Sequence, residues 1–310
     1  MKAPALSRPR LKRSISDNPV VVKEVRTRMR GNRAFILVTA HLTVLALIVA
    51  LTYVFFYDTL EASRSLEDRR AFGKALFGMV IIMELIIVSF TAPALTSGAI
   101  SNEHERQTFD LLRVTLLPAS RLILGKFLAG LVFLLLLIFT AIPLLSPAFL
   151  IGGVLASEIA VALLILLVTA VAFCAVGIFY STLTRRTLAA TVLSYGFAIF
   201  MVFGIPMLML LALFIFGAVF SGSFDRMQPV TVAILAAIVW LLIAVSPLAT
   251  VIASETALLT DNSLFMVGIN LGNGREVELL SPWIGYVLIY LLISQALLLI
   301  SIQRVQRLDE

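Results

Sequence analysis

The chain has 310 residues, of which 60% are apolar and only 14% are charged, and its mean hydropathy is +1.05. Soluble globular domains are nearer half apolar and about a quarter charged, so this composition excludes that class. The net charge of +6 does not indicate nucleic-acid binding, because the Lys and Arg residues are concentrated in residues 1–33, ahead of the first apolar run. A basic segment beside a membrane span instead favours the cytoplasmic side.

Six long apolar runs follow this basic tail. They comprise residues 34–57, 74–98, 122–145, 157–181, 188–217 and 282–302. Each is close to the roughly 20 residues that a helix needs to cross the hydrocarbon layer. Backbone groups in the bilayer must bond internally, and a run such as 131–138 lacks the alternation of a barrel strand. The sequence therefore predicts an all-α polytopic membrane protein, with a transmembrane domain over residues 34–302.

The charges of the segments between the spans indicate how the chain is oriented in the membrane. Residues 58–72 have balanced charges and fall outside, whereas residues 99–121 fall inside with three arginines. Residues 146–156 fall outside and contain no Lys or Arg, and the basic tail of residues 303–310 falls inside. Because Lys and Arg are retained on the cytoplasmic side, the pattern predicts a multi-pass protein of the plasma or inner membrane with a cytoplasmic N-terminus.

Residues 230–252 form a further uncharged run with two interpretations. The acidic character of residues 253–281 places that loop outside, so the run would have to enter and leave the membrane on the same side. Pro247 would break a helix near its end, because proline lacks an N–H and clashes with the preceding turn. We favour a re-entrant hairpin, and a seventh span is the alternative.

An amphipathic helix is predicted ahead of the first span. Asn18 is a suitable N-cap and Pro19 a suitable first helical residue. Apolar Val22, Val25 and Met29 recur at helical spacing, with a basic face beside them formed by Lys23, Arg26, Arg30 and Arg33. Such a helix lies flat in the membrane interface. It is either a basic cluster that only sets topology or an interface helix that contacts a cytoplasmic partner through Lys23, Glu24, Arg26, Arg28 and Arg30.

The charged insert after the second span is predicted to form a short docking helix over about residues 101–117. Asn102 and Glu105 have the spacing of a capping box, and Pro118 would stop the helix. Its apolar face would consist of Phe109, Leu112 and Leu116. An apolar ridge among mixed charges suits a groove on another protein. The alternative is an ordinary solvated connector.

Two segments of the chain resemble the permease subunits of ABC-2-type transporters. One is Asn18-Pro-Val-Val-Val-Lys-Glu-Val-Arg-Thr-Arg-Met-Arg30, which is similar to the amphipathic connecting helix of that family. The other runs from Ala99-Ile-Ser-Asn-Glu-His-Glu-Arg-Gln-Thr-Phe-Asp-Leu-Leu112 to Gly125-Lys126 and is similar to the coupling helix. His104, Phe109 and Asp110 stand where that family commonly has Arg, Leu and Glu.

The resemblance implies a dimeric permease powered by separate ABC-type ATP-binding subunits. The implied contacts to those subunits are Glu103, Glu105, Arg106, Thr108, Phe109, Asp110, Leu111 and Leu112. The chain has no Gly-x-x-x-x-Gly-Lys-Ser/Thr loop, the motif that cradles nucleotide phosphates. We therefore expect no enzymatic activity, cofactor or metal in this chain, with ATP and magnesium bound by the partner. A second permease copy or a paralogue is the other implied partner, and nucleic acid is not expected.

Glu84 lies midway along the second predicted span. A charged carboxylate at the centre of a membrane costs several kcal/mol, so such a residue is by default a functional candidate. Burial there favours the neutral acid. Glu84 is either a group of the transport pathway or a hydrogen-bonding link between helices, and the sequence identifies no partner for it. In the fifth span, Pro206 predicts a bend.

The function expected from these features is the membrane-spanning subunit of an ABC-2-type exporter. One alternative is a self-standing secondary transporter that uses Glu84, although such transporters often contain paired repeats, which this sequence lacks. Another is a membrane-embedded enzyme that acts on lipid, for which the inner loops offer His104 beside Glu103, Glu105 and Asp110. The transported substrate is not predicted.

Overall fold

The computed structural model describes residues 19–30, 32–62, 65–108, 118–220, 229–261, 264–270 and 276–307. Almost all of them are helical, so the prediction of an all-α architecture is confirmed. The helices are α1 (Pro19–Met29), α2 (Asn32–Ala62), α3 (Leu66–Thr96), α4 (Ser101–Glu105), α5 (Ala119–Ile151), α6 (Ala156–Leu183), α7 (Thr187–Ile199), α8 (Ile205–Phe220), α9 (Pro229–Val245), α10 (Pro247–Asp261) and α11 (Pro282–Arg307).

Within these described residues, six helical stretches are long and apolar enough to cross a membrane. They are Ala34–Tyr57, Leu66–Glu105, Ala119–Ile151, Ala156–Leu183, Thr187–Ile215 and Pro282–Arg307. Each contains or closely overlaps one of the predicted apolar runs. The physical cause is direct, because long uncharged stretches of Leu, Ile, Val, Phe and Ala satisfy their backbone only as helices in a bilayer.

The centre of the bundle is α6, which packs against α3, α5 and α11. In its most apolar stretch 67% of the residues are buried, against 11% for the first span, so α2 lies at the periphery. Phe77, Phe173 and Tyr286 are among the largest fully buried side chains of this core. The hydroxyl groups of Thr169 and Tyr286 are 2.7 Å apart, which joins α6 to α11 by a buried hydrogen bond.

The helices α9 and α10 are separated by Ser246 and turn through 114°, so they do not form one straight span. The hydroxyl of Tyr290 donates to the carbonyl of Val245 at 2.6 Å, which fixes the tip of this bend eight residues into α11. At 1.5 Å per residue the tip is about 12 Å from the start of α11. A re-entrant hairpin stays our prediction for this pair, and the shallow tip favours it over a seventh span.

The segment after α9 is more structured than the sequence indicated. We predicted a loop over residues 253–281, but residues 253–261 belong to α10 and two short antiparallel strands follow. The strands are β1 (Met266–Asn270) and β2 (Glu276–Leu280), with Met266 opposite Leu280.

A π-helical turn, Phe200–Gly204, separates α7 from α8. The N–H of Ile205 donates to the carbonyl of Phe200, five residues earlier. Pro206 follows directly and has no N–H to donate, so the regular ladder of hydrogen bonds is interrupted at this point. A π-helical turn therefore precedes Pro206, and the bend predicted at this proline stays a prediction.

Candidate functional site

The charged insert is fixed to the bundle through α6. The backbone N–H groups of Ile100 and Ser101 both donate to the hydroxyl of Ser181, at 2.8 and 3.0 Å. The first N–H groups of a helix have no partner inside the helix. Ile100 supplies no side-chain cap for α4, so Ser181 of α6 supplies the acceptor instead.

The predicted capping box within the insert is wrong. Glu105 accepts hydrogen bonds from the backbone N–H and the hydroxyl of Thr187, both at 2.8 Å. It therefore caps α7, which begins 82 positions further along the chain. Asn102 accepts a hydrogen bond from Nε of Arg106 at 3.1 Å. The carboxylate lies at the start of α7, where the helix dipole favours negative charge.

The helix predicted over residues 101–117 begins as expected but ends at Glu105. Gln107 has a φ of +56°, a left-handed conformation that turns the chain away from the helix axis. Thr108 then donates to the carboxylate of Glu103. Phe109, Asp110, Leu111 and Leu112 lie outside the described residues, so the structure tests no contact made by these four.

A buried lysine connects the insert to the rest of this end of the molecule. Lys126 of α5 is 5% exposed, and its Nζ donates to the carbonyl of Ala99 at 2.6 Å. The same Nζ is 3.1 Å from Oε1 of Glu103 and 3.8 Å from Oε1 of Glu24. We call these four residues the Lys126 junction. The junction joins α1, the insert and α5, and it compensates an ammonium group that burial would otherwise destabilise.

The helix α1 directs a charged pair toward the bundle. Arg28 donates to the carbonyl of Leu95 in α3 at 3.0 Å, and its Nε is 3.7 Å from Glu24. Lys23, Arg26 and Arg30 are exposed, as expected for a basic face. Glu24 and Arg28 were predicted to be interface residues for a cytoplasmic partner. In the structure they contact α3 and α5.

Replacing Glu105 by Gln is expected to loosen the first turn of α7. The neutral amide keeps the size of the side chain but loses the charge that favours this helix start and one of its two acceptors. We expect severalfold faster hydrogen exchange at the first amides of α7, measured by mass spectrometry. Glu67→Gln, an exposed change in the first turn of α3, is the matched control. Unchanged exchange in Glu105→Gln would contradict the capping role.

The structure gives Glu84 the partner that the sequence could not identify. Nε2 of His41, in α2, is 3.4 Å from Oε2 of Glu84, in α3. The two residues are 5% and 1% exposed. His41 was not a predicted site residue. A polar side chain inside the apolar run of the first span was the sequence feature that could have marked it as a partner for Glu84.

Two carboxylates lie near each other beside the middle of α3. Glu158, at the start of α6, and Glu255, in α10, line a small cleft beside Ser254. A Cβ on Gly78 would lie 3.0 Å from the carboxylate of Glu255, so this glycine leaves room for the acid. Among the described residues no three metal-ligating side chains come together. The cleft therefore offers two acids and a hydroxyl, not a recognisable metal centre.

No protein-family model matches this chain, and no curated protein matches it either. The resemblance to ABC-2 permeases thus rests on the residues of α1 and of the insert. The arrangement that the structure adds is the Lys126 junction, which brings these two segments together.

Proposed function

We propose that this chain is the membrane-spanning permease subunit of an ABC-2-type transporter that exports its substrate. Separate ATP-binding subunits would dock on the insert from the cytoplasm and supply the energy. The chain would be one half of a dimer with a second copy or a paralogue. The observation that carries the proposal is the Lys126 junction, because it connects the two segments that resemble that family.

The contacts of the insert suit the transmission of a mechanical push. Its start is bound to α6 through Ser181, Glu103 is held to α5 by Lys126, and Glu105 at the end of α4 caps α7. A displacement of the insert would therefore act on three helices at once. A flexible, solvated connector would need none of these contacts, which weakens that alternative.

The exposed surface of the insert offers groups for docking. Glu105, Arg106 and Gln107 are exposed at the end of α4, although Glu105 also bonds Thr187. The predicted apolar ridge of Phe109 and Leu112 follows directly in the chain. In our mechanism, closure of the ATP-binding subunits moves this surface and rocks the spans between inward-facing and outward-facing states.

Affinity purification of the tagged chain in mild detergent tests the proposal. We expect an ATP-binding subunit to co-purify in stoichiometric amount with ATPase activity. Asp110→Lys is expected to reduce its recovery about tenfold, as a loss of roughly 1.4 kcal/mol of interface free energy would do. Phe109→Ala is expected to allow ATP hydrolysis without transport, because in our proposal the apolar ridge transmits the movement of the ATP-binding subunits to the spans.

Glu67→Lys is the matched control for Asp110→Lys. Glu67 is exposed and lies at the end of α3 away from the insert, so the same charge reversal there is expected to leave the complex intact. A chain that purifies alone under every gentle condition would contradict the proposal. Equal recovery of the partner with Asp110→Lys would contradict the docking site.

One observation favours a second function, a secondary transporter driven by protons. His41 and Glu84 provide a buried acid and base between helices, as a proton-coupled carrier requires. This alternative predicts transport by the chain alone in vesicles with a proton gradient. Transport that also requires an ATP-binding subunit would exclude it.

A further inference from the structure

The pair formed by His41 and Glu84 is enclosed on all sides. It lies between α2 and α3, and α5 contributes the carbonyl of Leu137 beside the imidazole. Both nitrogens of His41 and both oxygens of Glu84 are buried without an aligned hydrogen bond. Such groups are rare, because an unsatisfied polar atom in a protein interior is costly. Nε2 of His41 and Oε2 of Glu84 are 3.4 Å apart, so each is a complementary atom for the other.

The free-energy cost of a buried net charge decides how many protons the pair holds. With no proton on the acid and a neutral imidazole, the site carries a net negative charge inside an apolar bundle. With a proton on the acid and a second proton on the imidazole, the site carries a net positive charge. Either state is expensive away from water. With a single proton the site is neutral, and as a carboxylic acid beside a neutral imidazole it contains no charge at all.

We propose that His41 and Glu84 form a buried binding site for one proton, held as the carboxylic acid of Glu84 that donates to Nε2 of His41. The proton exchanges with water only when α2 moves away from α3. The proposal does not rest on the proposed function, because a permease of any energy source could contain such a site.

The surroundings of the pair support this assignment. Among the described residues, neither side chain has a second ion-pair partner within 4.0 Å. The helix on one side, α2, has little of its apolar stretch covered, whereas α3 has half of its stretch buried. Separation of α2 from α3 is therefore the movement that disrupts the fewest contacts and opens the site.

Infrared spectroscopy of the full chain in phospholipid vesicles tests the proposal. A protonated carboxyl group has a C=O band separate from the bands of carboxylates and of the peptide backbone. We expect such a band at about pH 7, where an exposed glutamate is ionised. The spectrum of the native chain minus that of Glu84→Gln should contain this band, and the same difference should appear when both chains also carry Glu255→Gln, which removes a different acid. A difference spectrum without the band, or no band in the native chain, would overturn the proposal.

The role of His41 has its own measurement. In His41→Gln the acid stays buried and is expected to remain protonated, but the band shifts because the imidazole acceptor is gone. An unshifted band would overturn the shared site. If His41→Gln does not fold, the exchange measurement below tests the same site without a change to either residue.

Water access is measured by the rate at which the band shifts after transfer to deuterated buffer. Leu45 is fully buried one helical turn after His41 on α2, so Leu45→Ala opens space on the same face of the helix and is expected to speed the exchange about tenfold. Leu47→Ala, an exposed change on the same helix, is the matched control. Exchange in the native chain as fast as that of a surface carboxyl, or equal rates in both variants, would contradict gating by the packing of α2.

Discussion

Lys126→Met is expected to destabilise the chain by about 2–3 kcal/mol and to separate α1 from the insert. Removing one member of a buried ion pair costs about 3–5 kcal/mol, because the remaining charges stay behind without compensation. Glu24 and Glu103 are 29% and 28% exposed, so water recovers part of that cost and the lower figure applies. The measurement is thermal unfolding of the purified chain in detergent.

Two variants separate the junction from the general effect of losing a cation. Arg304→Met removes an exposed cation near the end of α11 and is expected to change stability by less than about 0.5 kcal/mol. Glu103→Gln combined with Lys126→Met should cost less than the sum of the single changes, with a coupling of about 0.5–3 kcal/mol. Simple additivity would show that the two side chains do not interact.

Gly177→Ala is expected to cost about 1–3 kcal/mol although it adds a single methyl group. A Cβ at this position of α6 would overlap the Thr96 hydroxyl and would lie 2.9 Å from its Cβ and 3.3 Å from the Ser97 nitrogen. Thr96 cannot easily yield, because its hydroxyl donates to the carbonyl of Ala92 at 2.7 Å. The helices α3 and α6 would have to separate, and overpacking of this kind is destabilising.

Gly196→Ala is the matched control for this change. Gly196 also lies within a helix, but a Cβ there would meet no atom within 4 Å. Alanine in place of glycine inside a helix then stabilises by roughly 0.5–1 kcal/mol. Thermal unfolding in detergent should thus show opposite signs for the two substitutions. A neutral Gly177→Ala would mean that α3 and α6 are not in close contact at the start of the insert.

The coarse fold was readable from the sequence because it depends on local composition. A bilayer allows few solutions to an uncharged run of about 20 residues, so all six spans were expected. The break at Pro247 was predicted for a similarly local reason, since proline cannot continue the hydrogen-bond ladder. The strands β1 and β2 were missed, because two runs of five residues give too little periodicity for a prediction.

The contacts of the candidate site were not readable, because they join distant parts of the chain. Asn102 and Glu105 have the spacing of a capping box, but the carboxylate of Glu105 accepts from the N–H of Thr187, at the start of another helix. Lys126 was part of a recognised motif, yet nothing in the sequence assigned it Glu103 and Glu24 as partners. Pairing of this kind follows from packing rather than from local pattern.

The π-helical turn at Phe200–Gly204 has a consequence for how a push on the insert would spread. The part of the span before the turn is tied to the insert through Glu105 and Thr187, whereas α8 continues for 16 residues beyond it. Those residues form an arm of about 24 Å. A tilt of about 10° at the turn would move the far end of the arm by about 4 Å. A small displacement of the insert would thus become a movement the size of a side chain at the far end of α8.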